Sequence, residues 1–282
     1  MPAVTRTSRI FHPTDFSPAS EVAFVHALKL AFATEGSLTI FHLASETEER
    51  DDIHEFPQVR DTLRRWGVLP RKAEGAAGMR VRKVQVRGDD PTDALLSYLE
   101  RHPADLLVLA THQRDGIARW LYREVAAPLV SRSALPALFV PPAVNGFVDA
   151  NTGHVRLRRI VLAIDQHPHP RAAIAMLPAI VGAFHPGACD VELLHVGTAA
   201  TLPRVDLPEV DGWTWRARVI DGEVVEGILR AATEGPADLL VLTTQGRRGF
   251  LDALRGSTTE QIVRGACCPV LAVPTLLPES TA

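Results

Sequence analysis

The chain has little of what a secreted or membrane-bound protein depends on. Its 282 residues include three cysteines, Cys189, Cys267 and Cys268. So small and odd a set gives no disulfide framework. Cys267 and Cys268 are adjacent and precede Pro269; packing is their first reading, with redox or metal chemistry as the lesser alternative. No apolar run approaches the roughly 20 residues of a membrane-spanning helix. The first residues, MPAVTRTSRIFHPTDF, lack the apolar core of a signal peptide. A cytoplasmic protein that engages no membrane is therefore expected. Surplus charge is missing as well. A net charge of -3 implies no general attraction to nucleic acid or to an anionic surface. Also absent are a Gly-Lys-Ser/Thr phosphate loop, a strand-linked Gly-x-Gly-x-x-Gly and a Gly-x-Ser-x-Gly elbow. These absences speak against a dedicated NTPase, a dehydrogenase and a serine hydrolase.

What is present is a repeat. The chain is 46% hydrophobic and 22% charged, ordinary for a globular protein, and long enough for two domains of about 140 residues. ADLLVLA at 104–110 matches ADLLVLT at 237–243, and PALFVP at 136–141 matches PVLAVP at 269–274, both at offset 133. RIFHPTD at 9–15 matches RIVLAID at 159–165 at offset 150, and TIFHLA at 39–44 resembles ELLHVG at 192–197 at offset 153. The second copy is thus about 20 residues shorter in its middle. Domains at 1–142 and 157–282 follow, joined by a linker at 143–156 that has Gly, Asn and Asp but no sustained apolar period.

Each copy alternates strand and helix. In the first, strands are predicted at 9–13, 37–43, 79–87, 105–110 and 137–140. Its helices are predicted from Ser17 to about 33, near 57–67, after the cap Asp90, and near 118–132. In the second, strands are predicted near 159–164, 190–196, 214–220, 238–243 and 270–273, with helices near 168–184, 223–233 and 257–266. A Pro-containing loop at 199–211 replaces one helix. Apolar strands between helices imply a parallel sheet covered on both faces, with ligands beyond the strand C-terminal ends.

The sharpest motif is GRRGFLDALRGSTTE at 246–260, which follows the second ADLLVL strand. Glycines let the backbone approach a ligand, and Gly-Ser-Thr-Thr opening a helix offers N–H groups and hydroxyls to an anion.

Taken in order, these features resemble the universal stress protein family in its tandem form. They are Pro13 to Ser17 (PTDFS), the His-Leu and His-Val of the second strands, ADLLVL, the glycine loop and CPVLAVP. The resemblance implies two tandem doubly wound α/β domains, each a mostly parallel five-stranded sheet flanked by helices, of the adenine nucleotide alpha hydrolase type. It implies that the last strand of each copy pairs across the domains as an intramolecular pseudo-dimer, which also covers two apolar edges. A further homodimer and an unidentified protein partner stay open. The function implied is binding of ATP, ADP or AMP, with or without Mg²⁺, in the second domain, as a regulatory ligand in a stress response. An interaction protein that no longer binds nucleotide and a slow ATPase are the alternatives; a turnover enzyme is not expected.

By the same resemblance Gly246, Gly256, Ser257 and Thr258 contact phosphates. Asp165 faces the adenosine part, Val196 lines the base pocket, and Ala163, Ile164, Leu242 and Thr243 form its rim. Thr243 departs from the family pattern, which has glycine there. The first copy departs further. Gln113, Arg123, Glu124 and Val125 replace Gly246, Gly256, Ser257 and Thr258, although Asp15 remains. A triphosphate is not expected there.

Other groups carry structural readings first. His167 and His169 lie in a Pro-rich helix start, with a ligand-side role open for their position after Asp165. His42 and His195 recur at strand ends, which suits a structural or pocket-wall role better than a metal site. Arg247 and Arg248 are balanced between phosphate contacts and solvated charges. Trp213 and Trp215 share a strand face and read as packing, and Arg60, Arg64 and Arg65 beside Asp61 as an exposed helix face.

Overall fold

A computed structural model describes residues 8–44, 56–69, 78–87, 90–111, 133, 135–142, 146–185, 187–245 and 257–275. The first copy runs β1 (Arg9–Pro13), α1 (Pro18–Ala33), β2 (Ser37–Ala44), α2 (Val59–Arg65), β3 (Arg80–Arg87), α3 (Pro91–Arg101), β4 (Leu106–Ala110) and β5 (Ala137–Val140). The second runs β6 (Arg159–Ala163), α4 (Arg171–Val181) with a 3-10 turn at Gly182–Phe184, β7 (Cys189–Val196), β8 (Trp213–Ile220), α5 (Val224–Glu234), β9 (Leu239–Thr244), α6 (Thr258–Gly265) and β10 (Val270–Pro274). The helix expected at 118–132 lies outside the described residues, as do Gln113, Arg123, Glu124 and Val125.

Local chemistry accounts for several boundaries. Ser17 Oγ accepts from the Ser20 N–H at 3.2 Å, and Pro18 supplies the pre-set φ of a first helical residue. The Asp90 carboxylate accepts from the N–H groups of Thr92 and Asp93 at the start of α3. The Asp of each ADLLVL repeat has the same duty. Asp105 Oδ2 accepts from the Ser8 and Arg9 N–H groups at 3.1 and 2.9 Å. Asp238 Oδ2 accepts from Arg158 and Arg159 at 2.8 and 3.0 Å, and its Oδ1 accepts from Arg156 Nε at 3.0 Å. Each Asp pins the start of the first strand of its copy to the fourth. Asp238 is nearly buried, so Asp238→Ala is expected to cost about 2 kcal/mol by orphaning two N–H groups. Urea denaturation would show a midpoint shift of that size.

Among the described residues ten strands form one sheet, in the order β3-β2-β1-β4-β5-β10-β9-β6-β7-β8. Neighbours within a copy are parallel. The copies meet antiparallel, with Val270 opposite Phe139, Leu271 opposite Leu138 and Ala272 opposite Ala137. The expected pairing of last strands is therefore present, and each copy covers the other's apolar edge. Side-chain alternation divides the core between the faces: Ile10, Leu38 and Ile40 pack with α1 residues such as Leu28 on one side, Phe11, Phe41 and Leu107 with α3 residues such as Leu95 on the other.

The segment between the copies is more ordered than its composition suggests. Phe147 and Val148 are buried, and Val148 and Val155 form a bridge. His26 Nε2 accepts from the N–H groups of Phe147 and Val148 at 3.1 and 3.3 Å. Trp66 Nε1 donates to Ala150 O at 3.1 Å. Gly153, at φ +66°, faces the Trp66 ring so closely that a Cβ would come within 2.5 Å of it. Its glycine is a packing requirement rather than a sign of looseness.

Candidate functional site

A cleft of about 590 Å³ opens beyond the C-terminal ends of β6, β7 and β9, within the usual range for small-molecule sites. Of the ten residues expected from the sequence, Ala163, Ile164, Asp165, Val196, Leu242, Thr243, Ser257 and Thr258 line it. Gly246 and Gly256 lie outside the described residues, as do Arg247 and Arg248.

The cleft has chemically distinct walls. Leu194 and Val196 of β7 and Val224 and Ile228 of α5 make one apolar side. Val224 is 42% exposed at the lip. The other end is the start of α6. Ser257 caps that helix, its Oγ accepting from the Glu260 N–H at 3.1 Å. Thr258 and Thr259 occupy the first turn, where backbone N–H groups have no intrahelical acceptor. Among the described residues neither N–H has another partner. The helix dipole adds positive potential at this point. Thr243 Oγ1, on β9 in the cleft wall, is shielded from solvent and unpartnered among the described residues.

Asp165 is exposed at the end of β6, and its Oδ1 accepts only the adjacent Gln166 N–H, at 2.7 Å, among the described residues. Asp15, its counterpart, is committed. Asp15 Oδ1 accepts from Ser17 N at 3.0 Å, Ser17 Oγ at 2.6 Å and Ser20 Oγ at 2.5 Å. One carboxylate faces a cleft; the other holds together the start of α1. The first copy also carries bulk on the corresponding sheet face. Phe11, Phe41 and Tyr98 stand where the second copy has Val161, Leu194 and Ala231. Their rings pack at centroid distances of 5.7, 5.9 and 5.3 Å.

The histidines are sorted by their partners. His195 is buried, with Nδ1 donating to Ile164 O at 3.1 Å and Nε2 lying 2.9 Å from Thr201 Oγ1. It locks the end of β7 to that of β6 behind the cleft wall. His42 Nδ1 makes the matching bond to Thr14 O at 2.9 Å. His169 Nε2 donates to Arg204 O at 3.2 Å, tying the loop after β7 to the start of α4. His167 lines the cleft beside Asp165. No group of three or more His, Cys, Asp or Glu suited to a metal occurs among the described residues. Cys268 is buried, which pushes its thiol up to about 12, whereas Cys267 is exposed. Packing accounts for Cys268 but not for its neighbour. Trp213 and Trp215 lie with ring centroids 5.6 Å apart and pack against the core. Among the described residues no helix is long and apolar enough to cross a membrane.

The Universal stress protein family model matches residues 7–141 and 210–274. A universal stress protein from Archaeoglobus fulgidus DSM 4304 has a similar structure, with a TM-score of 0.64 at 16% identity, over 95% of this chain and 99% of that one. A functionally unknown protein from Pseudomonas aeruginosa PAO1 superposes with a TM-score of 0.63 at 13% identity, over 97% and 95% of the two chains. The cytoplasmic domain of a prokaryotic cation chloride cotransporter gives a TM-score of 0.51 at 12% identity, over 94% and 95%. These likenesses establish the fold alone. No curated protein matches the sequence. The family model covers nearly all of the first copy and the C-terminal half of the second, well over half of the chain, and the chain belongs to the universal stress protein family.

Proposed function

We propose that this protein binds ATP or another adenine nucleotide, one per chain, in the second-copy cleft. The observation that carries the reading is the division of that cleft. An apolar wall of Leu194, Val196, Val224 and Ile228 suits a flat base. The Thr258 and Thr259 N–H groups at the start of α6, which have no partner among the described residues, suit phosphate. Asp165 lies at the end of β6 with its carboxylate uncommitted to a helix cap, the chemistry that a ribose diol requires. Gly246 and Gly256 complete the phosphate end by family resemblance. Nucleotide acts as a regulatory ligand in a stress response inside the cytoplasm, with little or no turnover.

Titration calorimetry with ATP, ADP and AMP, with and without Mg²⁺, is expected to give one site per chain. No heat and no thermal shift at millimolar nucleotide would sink the reading. Phosphate release followed over hours would expose any slow hydrolysis. A second reading, an interaction protein that has lost nucleotide, is favoured by Thr243, whose side chain stands where the family pattern has glycine. A native mass spectrum separates the two, since a retained adenine nucleotide is incompatible with the second.

A further inference from the structure

The two outer edges of the sheet differ in charge, and the difference is independent of the cleft. β3 forms one edge and β8 the other. An edge strand leaves outward N–H and C=O groups available to another chain. On β8 the cations are matched. Arg216 lies 3.8 Å from Asp190, and Arg218 lies 3.5 Å from Glu192 and 2.9 Å from Glu234. The sequence of β3, RVRKVQVR, has four cations and no acid.

The register shows where the matching acids have gone. β7 sets Asp190 beside Thr214 and Glu192 beside Arg216. At the corresponding places β2 sets Ser37 beside Arg80 and Thr39 beside Arg82. Arg80, Arg82 and Lys83 are exposed, and none is ion-paired among the described residues. Arg80 and Arg82 are two apart and share a sheet face. Lys83 lies on the other face, its Nζ 5.8 Å from the centroid of the Phe56 ring. Among the described residues the β3 backbone edge has no further strand on it and is flanked by positive charge on both faces. Cations on an edge can serve only to keep copies apart. That service acts against a second β3 and leaves the same cations able to attract an acidic strand.

We propose that the β3 edge docks an extended acidic segment of a partner protein. The segment adds as an eleventh strand and sets acidic side chains, two residues apart, beside Arg80 and Arg82. Backbone hydrogen bonds supply the register, and the alternating charges select the partner.

The test uses the full chain and a fluorescein-labelled eight-residue peptide of alternating Glu and Val, followed by anisotropy. Saturable binding is expected. It weakens at least about tenfold between about 50 and about 300 mM salt, and by a similar factor in Arg80→Glu/Arg82→Glu. The Arg80→Lys/Arg82→Lys variant retains it. A peptide N-methylated at alternate residues, which cannot complete a strand ladder, does not bind. No saturable binding, undiminished binding by the Glu variant, or equal binding of the N-methylated peptide overturns the proposal. So does a single-stranded oligonucleotide that displaces the peptide at equal charge, which would mark a general polyanion surface.

Discussion

Between pH 7 and pH 5 the folded state is expected to lose about 4 kcal/mol, because two fully buried histidines must stay neutral. Burial pushes the imidazoles of His12 and His26 down to about 4 from the ordinary 6.5. His12 Nδ1 donates to Val108 O at 2.9 Å, and its Nε2 is buried with no partner among the described residues. His26 Nδ1 donates to Val22 O at 2.8 Å, while its Nε2 accepts two backbone N–H groups from the inter-copy segment. A charge on either ring would sit in a site that burial keeps from water, and a proton on His26 Nε2 would also face two backbone donors. Below pH 6.5 the unfolded chain takes up protons that the native state refuses, so stability falls as pH falls. The loss begins near 6.5 and ends near 4, below which both states are protonated. Between pH 7 and pH 5 linkage gives about 2 kcal/mol per histidine. Urea midpoints at pH 7 and pH 5 measure it directly. The matching residue on β6 is Leu162, so His12→Leu tests the assignment. That variant should remove about half of the pH dependence and cost little at pH 7, since it also removes an orphaned nitrogen. His26→Met should remove the other half but cost about 2 kcal/mol at pH 7, since it orphans two N–H groups. A parent protein equally stable at both pH values would show that these rings are not buried neutral.

The same contrast between exposed pattern and hidden partner explains what the sequence could reveal. Apolar runs such as ADLLVL, and caps such as Ser17 and Asp90, act locally, so strand and helix positions were legible. The cleft residues of β6, β7 and β9 were legible through their place at strand ends and through family resemblance. The walls from α5, Val224 and Ile228, were not, because a helix packed over a sheet brings them there only in three dimensions. The difference between Asp15 and Asp165 lies in the residues that follow each of them. Hydroxyls follow Asp15 by two and five residues, whereas QHPHP follows Asp165. A capping network can form at the first and not at the second. The order at 146–156 was illegible for the opposite reason. Its Gly and Asn suggested a loose connection, while its anchors His26 and Trp66 lie far back in the chain.

Gly256→Glu is expected to weaken ATP binding by about a thousandfold while leaving adenosine binding near that of the parent. Gly256 directly precedes Ser257, whose hydroxyl caps α6 and whose neighbours Thr258 and Thr259 line the cleft with N–H groups that have no partner among the described residues. A carboxylate introduced there both claims those donors and repels phosphate. Two unit charges about 4 Å apart at a protein surface interact by about 4 kcal/mol, which corresponds to about three decades in affinity. Adenosine has no phosphate to repel, so the contacts proposed for it with Val196, Val224 and Asp165 are expected to survive. Asp165→Ala should behave in the opposite way. It removes the carboxylate from the sugar side, weakening ATP and adenosine by a similar factor of about ten, the value of one charge-assisted hydrogen bond. The two variants together separate the ends of the cleft, and a urea midpoint within about 1 kcal/mol of the parent would exclude general damage. If Gly256→Glu binds ATP as tightly as the parent does, phosphate does not sit at the start of α6. If both variants weaken ATP and adenosine equally, the cleft does not divide base and phosphate between its walls.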